Sequence, residues 1–298
     1  MTGETTPTKR GFALRLVHNL TRLAGTLLLA GFLGACLICL APGLTSDESD
    51  LDSRLSNATI QTLAARRAEQ SNVVVFYAHY LQGAVRGDFG TSRLFDTSIG
   101  QLLEERVPVT ASSVVAGLMA AWTLALVLAA IGVMSRHRVW EAVFAASAGQ
   151  LLCIPAALLG VLLFLAGAPP AAGVGAVIFP RLYRYSAGLL HAGIGMPHVL
   201  AARARGLGSS RILLWHVLPP QLPQLIALAG VSGAAALGAA VPIEVICDSP
   251  GIGQLAWRAA LGRDLPLLVT LTLINTAIVL AANACADLCL HSLDRNPA

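Results

Sequence analysis

Lysine is almost missing from this chain: Lys9 is the only one among 298 residues. No G-x-x-x-x-G-K-[ST] stretch occurs either, which excludes ATP hydrolysis by this polypeptide through a phosphate-binding loop. Charge of any sign is scarce. Charged residues make up 12% and aromatics 5%, against 55% hydrophobic residues and a mean hydropathy of +0.69. A soluble globule of ordinary composition cannot cover that much apolar surface, so the chain belongs in a membrane. The net charge is only +4, and the arginines are spread over several loops without interleaved aromatics, so no nucleic-acid partner is expected. There is no H-E-x-x-H, and the seven histidines sit mostly in or beside polar loops. Solvated or headgroup-facing roles suit them better than metal ligation, and no cofactor is expected. The cysteines lie in apolar runs or at their ends. Cys36 and Cys39 form a C-x-x-C, but without a neighbouring βαβ pattern they read as packing residues.

What is present is a series of long apolar runs. Leu23 to Pro42 is a nearly unbroken segment of 20 residues, the length needed to cross about 30 Å of hydrocarbon. Its length and basic flank favour an uncleaved first helix, preceded by a cytoplasmic segment 1–22, over a signal peptide. Residues 43–107 form a polar, acidic excursion placed outside the cell, with helical patterning from Thr59 to Leu81. Residues 108–290 then form a core with five more spans: Ala111 to Met134, Ala142 to Ala168, Ala171 to Leu190, Leu222 to Ile246 and Leu265 to Leu290. Arg181, Tyr183, Arg184 and Tyr185 sit at headgroup depth at the inner end of the fourth span. The fifth is rich in small residues such as Gly230, Gly233 and Gly238, which let helices approach closely. Lys9, Arg10, Arg136, Arg138, Arg203, Arg205, Arg211 and Arg295 all fall on one side. By the positive-inside rule both ends, including the tail 291–298, are cytoplasmic.

The polar, basic stretch Met196 to Pro223 interrupts these runs. Val199 to Arg205 predicts a short helix, and Gly206 is the residue type that most easily takes the left-handed conformation ending it. Ser209 or Ser210 can cap a second short helix, which Pro219, Pro220 and Pro223 then stop or restart. The result is a helix, turn, helix elbow over about residues 191–221. An ordinary basic loop is the plain alternative.

Two other functions compete. Gly230-Val231-Ser232-Gly233 reproduces the G-x-S-G around the nucleophile of rhomboid-type intramembrane proteases. However, His291 lies roughly 15 Å from Ser232 along the membrane normal at 1.5 Å per residue, too far to act as its base. An ion-coupled secondary transporter needs intramembrane charge, and only Glu244 and Asp287 approach that, each near a span end.

Several stretches, taken in order, resemble the inner-membrane permease subunits of bacterial dipeptide and oligopeptide ABC importers. They are Ala41-Pro42-Gly43, Phe76 to Leu81, Gly87 to Ser92, Glu105 to Thr110, Ala202 to Leu207, Glu244 with Pro250-Gly251-Ile252-Gly253, Arg263 to Pro266, and Leu293-Asp294-Arg295. The resemblance implies an all-α integral membrane protein of the bacterial inner membrane, with six transmembrane helices in the type I importer arrangement. The elbow becomes the EAA loop, whose coupling helix docks on a cytoplasmic ATPase. Carried over by position, Leu200, Ala201, Ala202, Arg203, Ala204, Gly206 and Leu207 form the docking surface, completed by Leu218 and Pro219. Leu200 stands where that pattern has Glu, His216 where it often has Ile, and Arg295 where the terminal motif usually has Pro. Glu244, Pro250, Gly251 and Gly253 become a candidate external gate. The partners implied are a second permease subunit, similar or identical, two ATP-binding-cassette ATPases, an extracytoplasmic solute-binding protein and membrane lipid.

Overall fold

Long apolar runs without strand-like alternation favour helices, which satisfy their backbone polar groups internally. The computed structural model is all-helical over the residues it describes, 21, 25–34, 36, 73–135 and 138–294, apart from an isolated bridge between Thr91 and Ser98. Apart from residue 21, the expected segment 1–22 lies outside the described residues, as do parts of the first span, the excursion up to residue 72 and the tail beyond residue 294.

In chain order the helices are α1 (Gly25–Gly34), α2 (Val73–Val85), α3 (Ile99–Met134), α4 (Arg138–Cys153), α5 (Ala156–Leu165) and α6 (Pro170–Ile194). They continue as α7 (Pro197–Ala204), α8 (Ser209–Ile212), α9 (Leu218–Ile246), α10 (Ile252–Leu261) and α11 (Leu265–Asp294). A π-helical turn, Leu213–Val217, joins α8 to α9. Among the described residues, three helices are long and apolar enough to cross a membrane: Ile99–Met134, the continuous rod Ser209–Ile246, and Leu265–Cys289.

The expected span Ala142 to Ala168 is not one rod. It breaks into α4 and α5, bent by 103°. Pro155, at φ −56° and ψ 141°, lacks the N–H that would continue the ladder and pushes Ile154 out of the helical region. The fifth span departs in the opposite way. Pro219, Pro220 and Pro223 do not interrupt the rod: Pro219 and Pro220 stand in the first turn of α9, just after a π turn in which the Leu218 amide donates to the Leu213 carbonyl five residues back, and Pro223 lies inside the helix.

The described residues pack as two compact units. In one, made of residues up to Leu102 with Arg258–Leu280, α2 supplies Tyr77 and Tyr80. The Tyr77 hydroxyl donates to the Leu28 carbonyl at 2.9 Å, and the Tyr80 hydroxyl to Thr270 Oγ1 at 2.7 Å. The Phe76 to Leu81 motif therefore places two tyrosines in a core with Val269 and Leu273.

The other unit, Leu103–Trp257 with the residues from Ala281 on, has a core built from small side chains. Ala121, Ala125 and Ala129 recur every four residues along one face of α3. Gly117 on α3 and Gly175 on α6 meet backbone to backbone: a Cβ on Gly175 would lie 2.9 Å from the Gly117 carbonyl oxygen. Ile243 on α9 fills the hollow left by Gly160 and Gly173. Of the glycines expected to admit neighbours on the fifth span, Gly230 does so against Ala286, whereas Gly233 and Gly238 have no neighbour within 4 Å of a Cβ. Tyr183 is buried between Phe144 and Phe179, not an interfacial anchor as expected.

Candidate functional site: the elbow and the carboxylate clasps

The residues Ala202 to Leu207 set their own geometry. Helix α7 ends at Ala204, Arg205 keeps right-handed angles, and Gly206 turns to φ +78°. The Gly206 amide donates to the Arg203 carbonyl at 2.9 Å and the Leu207 amide to the Ala202 carbonyl at 3.4 Å. This is a Schellman closure, and it needs a residue at Gly206 with no penalty for a positive φ. The next helix is capped by Gly208 and not by a serine: Ser209 and Ser210 lie inside its first turn, and no side chain caps it.

Burial divides the predicted docking residues by face. Val199 and Ala202 are buried with Ile212 and Val217, which glue α7 to the π turn. Leu200, Ala201, Arg203 and Ala204 are exposed, Leu200 to 56%. Ala202 therefore anchors the helix and offers nothing outward, a correction to its place in the expected surface. Leu207 and Leu218 are half-buried and Pro219 is exposed. A hydrogen bond between His198 Nε2 and the His216 carbonyl, 2.9 Å long, crosses the elbow.

The same closure recurs where α9 ends. Asp248, at φ +47°, donates its amide to the Val245 carbonyl, and Ser249 donates to Glu244 at 2.9 Å. The chain is thereby folded back so that Pro250 to Gly253 lie over Glu244, which is fully buried. Its Oε2 accepts the Gly253 amide at 2.7 Å, and a Cβ on Gly251 would strike the carboxyl group itself. From the Glu105 to Thr110 stretch, Thr110 Oγ1 accepts the Ile252 amide at 2.7 Å. Two stretches far apart in sequence, Glu105 to Thr110 and Glu244 to Gly253, therefore meet at one buried carboxylate.

A second clasp was missed by sequence reasoning. Asp264 is fully buried, and its Oδ2 accepts the Ser92 hydroxyl at 2.5 Å and the amides of Arg93 and Leu94 at 2.8 and 3.1 Å. Its Oδ1 accepts the Leu267 amide, capping α11. The signal was present, since Gly87 to Ser92 and Arg263 to Pro266 had both been singled out, but nothing local pairs them.

The serine of the G-x-S-G stretch is occupied. Ser232 Oγ donates to the Ala229 carbonyl at 2.9 Å and accepts from Trp122 Nε1 at 3.1 Å, so its proton is spent on the helix and not on a base. Among the described residues no group of histidine, cysteine and carboxylate side chains could hold a metal.

Three long apolar helices, an exposed elbow and two buried carboxylates clasped by backbone amides are the features of an integral membrane protein. Residues 113–297 match the family described as binding-protein-dependent transport system inner membrane component, and the chain belongs to that family. It is the permease of an ABC importer, a family whose members act with a separate ATPase and a solute-binding protein. It is 25% identical over 278 residues to the oligopeptide transport system permease protein AppB of Bacillus subtilis (strain 168), covering 82% of this chain and 86% of that one. To the oligopeptide transport system permease protein OppB of Mycobacterium bovis it is 26% identical over 322 residues, covering 96% and 98%. To OppB of Escherichia coli (strain K12) it is 26% identical over 227 residues, covering 69% and 74%.

Proposed function

We propose that this chain forms half of the translocation pathway for oligopeptides, as one of two permease subunits, and takes its driving force from two ATPases through the elbow. The peptide substrate rests on the names of the relatives. In this reading the chain has six spans with cytoplasmic ends: α1 belongs to the first, the bent pair α4 and α5 is the third, and α6 is the fourth. The domain boundaries follow, with an external region 43–107, a core 108–290 and a coupling loop at about 191–221.

The observation that carries the proposal is the two-sided α7. One face is locked to the core through Val199 and Ala202, while Leu200, Ala201, Arg203 and Ala204 stand free in front of a rigid turn. A short helix held in this way can push or be pushed without unfolding. Closing of the ATPases on ATP moves the elbow, and the rod Ser209–Ile246 carries that motion into the membrane. Glu244, Pro250, Gly251 and Gly253 hold the loop at the external mouth, where it gates the cavity.

Single cysteines placed along α7 in the assembled complex test the docking face. Positions 200, 201, 203 and 204 should cross-link to the ATPase, and positions 199 and 202 should not. Equal cross-linking at all six, or at none, would defeat the assignment.

A further inference from the structure

Between α6, α9 and the end of α4 lies a cavity of about 480 Å³, within the usual size range of small-molecule sites. Its walls are Ile178 and Leu182 on α6, and Leu228, Val231 and Ala235 on α9. They recur at helical spacings of three and four, so each helix gives the cavity one continuous apolar stripe. The polar groups are concentrated on α6, where Arg181 and Arg184 line the cavity together with Tyr185. No carboxylate lines it. Among the described residues, neither guanidinium has an ion-pair or hydrogen-bond partner. The carboxylate on neighbouring α4, Glu141, pairs instead with His191 at 3.2 Å.

Two cations at one side of an apolar slot call for a ligand that is itself divided into an anionic head and a hydrocarbon tail. A free anion satisfies the arginines but leaves the slot empty. A zwitterionic or neutral amphiphile fills the slot but leaves two like charges uncompensated. An anionic phospholipid does both: its phosphate takes the planar guanidinium forks, and an acyl chain covers the two stripes. Tyr185, 63% exposed, adds an amphipathic ring of the kind found at headgroup level.

We propose that this cavity is a site for an anionic phospholipid, with the phosphate held by Arg181 and Arg184 and an acyl chain lying against α6 and α9. Its assignment to the inner leaflet rests on the topology given under Proposed function; binding itself does not. Because α9 is the rod leading from the elbow, a lipid wedged between α6 and α9 would bias the rod's position, linking transport to the anionic lipid content of the membrane.

Each basic side chain beside an anionic headgroup contributes about a fivefold preference. The test is to equilibrate the permease, assembled with its partner subunits, with equal amounts of phosphatidylglycerol and phosphatidylcholine, and to measure the lipid retained by native mass spectrometry. Phosphatidylglycerol should be retained preferentially. Arg181→Gln or Arg184→Gln should lower that preference about fivefold, and the double variant about thirtyfold. Arg181→Lys with Arg184→Lys should keep most of it, and Ala235→Phe, which fills the slot, should reduce retention of any lipid there. Equal retention of both lipids, an undiminished preference in the double glutamine variant, or displacement by inorganic phosphate or by a tripeptide would each overturn the proposal. Cross-linking of the elbow to the ATPase, measured on the same preparations, reports the transport assignment separately.

Discussion

Ser92 donates its hydroxyl to Asp264 across 172 positions of sequence, and the same carboxylate oxygen accepts the amides of Arg93 and Leu94. The tight loop before α3 is thus held from the N-terminus of α11 by one fully buried side chain. Asp264→Asn can turn its amide oxygen to the three donors, but its NH2 then faces the Leu267 amide, and each bond to the lost charge was worth about 1.5–3 kcal/mol. The variant should unfold at a clearly lower temperature, with a net loss of about 2–4 kcal/mol after rearrangement. Limited proteolysis should find new cleavage around residues 93–97. An unchanged melting profile would show that the clasp is not structural.

At the other clasp, Gly251→Ala places a methyl group inside the Glu244 carboxyl. Expression and ATPase association should survive, because the elbow is built from other residues, while substrate uptake should fall at least tenfold. Glu244→Gln should fall less, since an amide oxygen can still accept the Gly253 amide. Uptake by the two variants at matched membrane levels decides the order.

Substitutions at Gly206 should rank by their tolerance of φ +78°. Gly206→Asn should be mildest, Gly206→Ala intermediate at about 1 kcal/mol of backbone strain, and Gly206→Val most severe because it also branches at Cβ. Nothing lies within 4 Å of a Cβ built there, so bulk alone is not the obstacle. Uncoupling should follow the same order, measured as ATP turnover that no longer rises when the liganded binding protein is added.

Impermeant maleimide labelling of single cysteines in intact cells tests the topology. Position 93, exposed beside the Asp264 clasp, should react; positions 135 and 209 should not. Ser92 is unsuitable as a probe because it is 1% exposed. Labelling at 209 without labelling at 93 would invert the chain.

How far the sequence could be read depended on the range of each interaction. The end of α7 was legible because a Schellman closure is built from six consecutive residues and announces itself with a glycine. The break at Pro155 was not, since the surrounding apolar run reads as a span whether straight or bent. The three prolines of α9 misled for a related reason: two of them stand in its first turn, where a missing N–H costs a helix little. The clasps were visible only as motifs. Asp264 and Ser92, or Glu244 and Thr110, lie far apart in sequence, and no local rule pairs a carboxylate with amides that distant. Ala202 entered the expected docking surface by its position in the motif, and only its burial with Val199, Ile212 and Val217 shows that it faces inward.

The π turn has a further effect on the rod. Each residue of an α-helix advances about 100° around the axis, so one residue added to an ordinary ladder would swing everything before it by more than a quarter-turn. The π turn Leu213–Val217 absorbs that residue by widening, so α8 and α9 keep the relative phase of an uninterrupted helix and Ile212 stays in the core. The direction in which the elbow points is thus insulated from the extra residue by the turn that holds it.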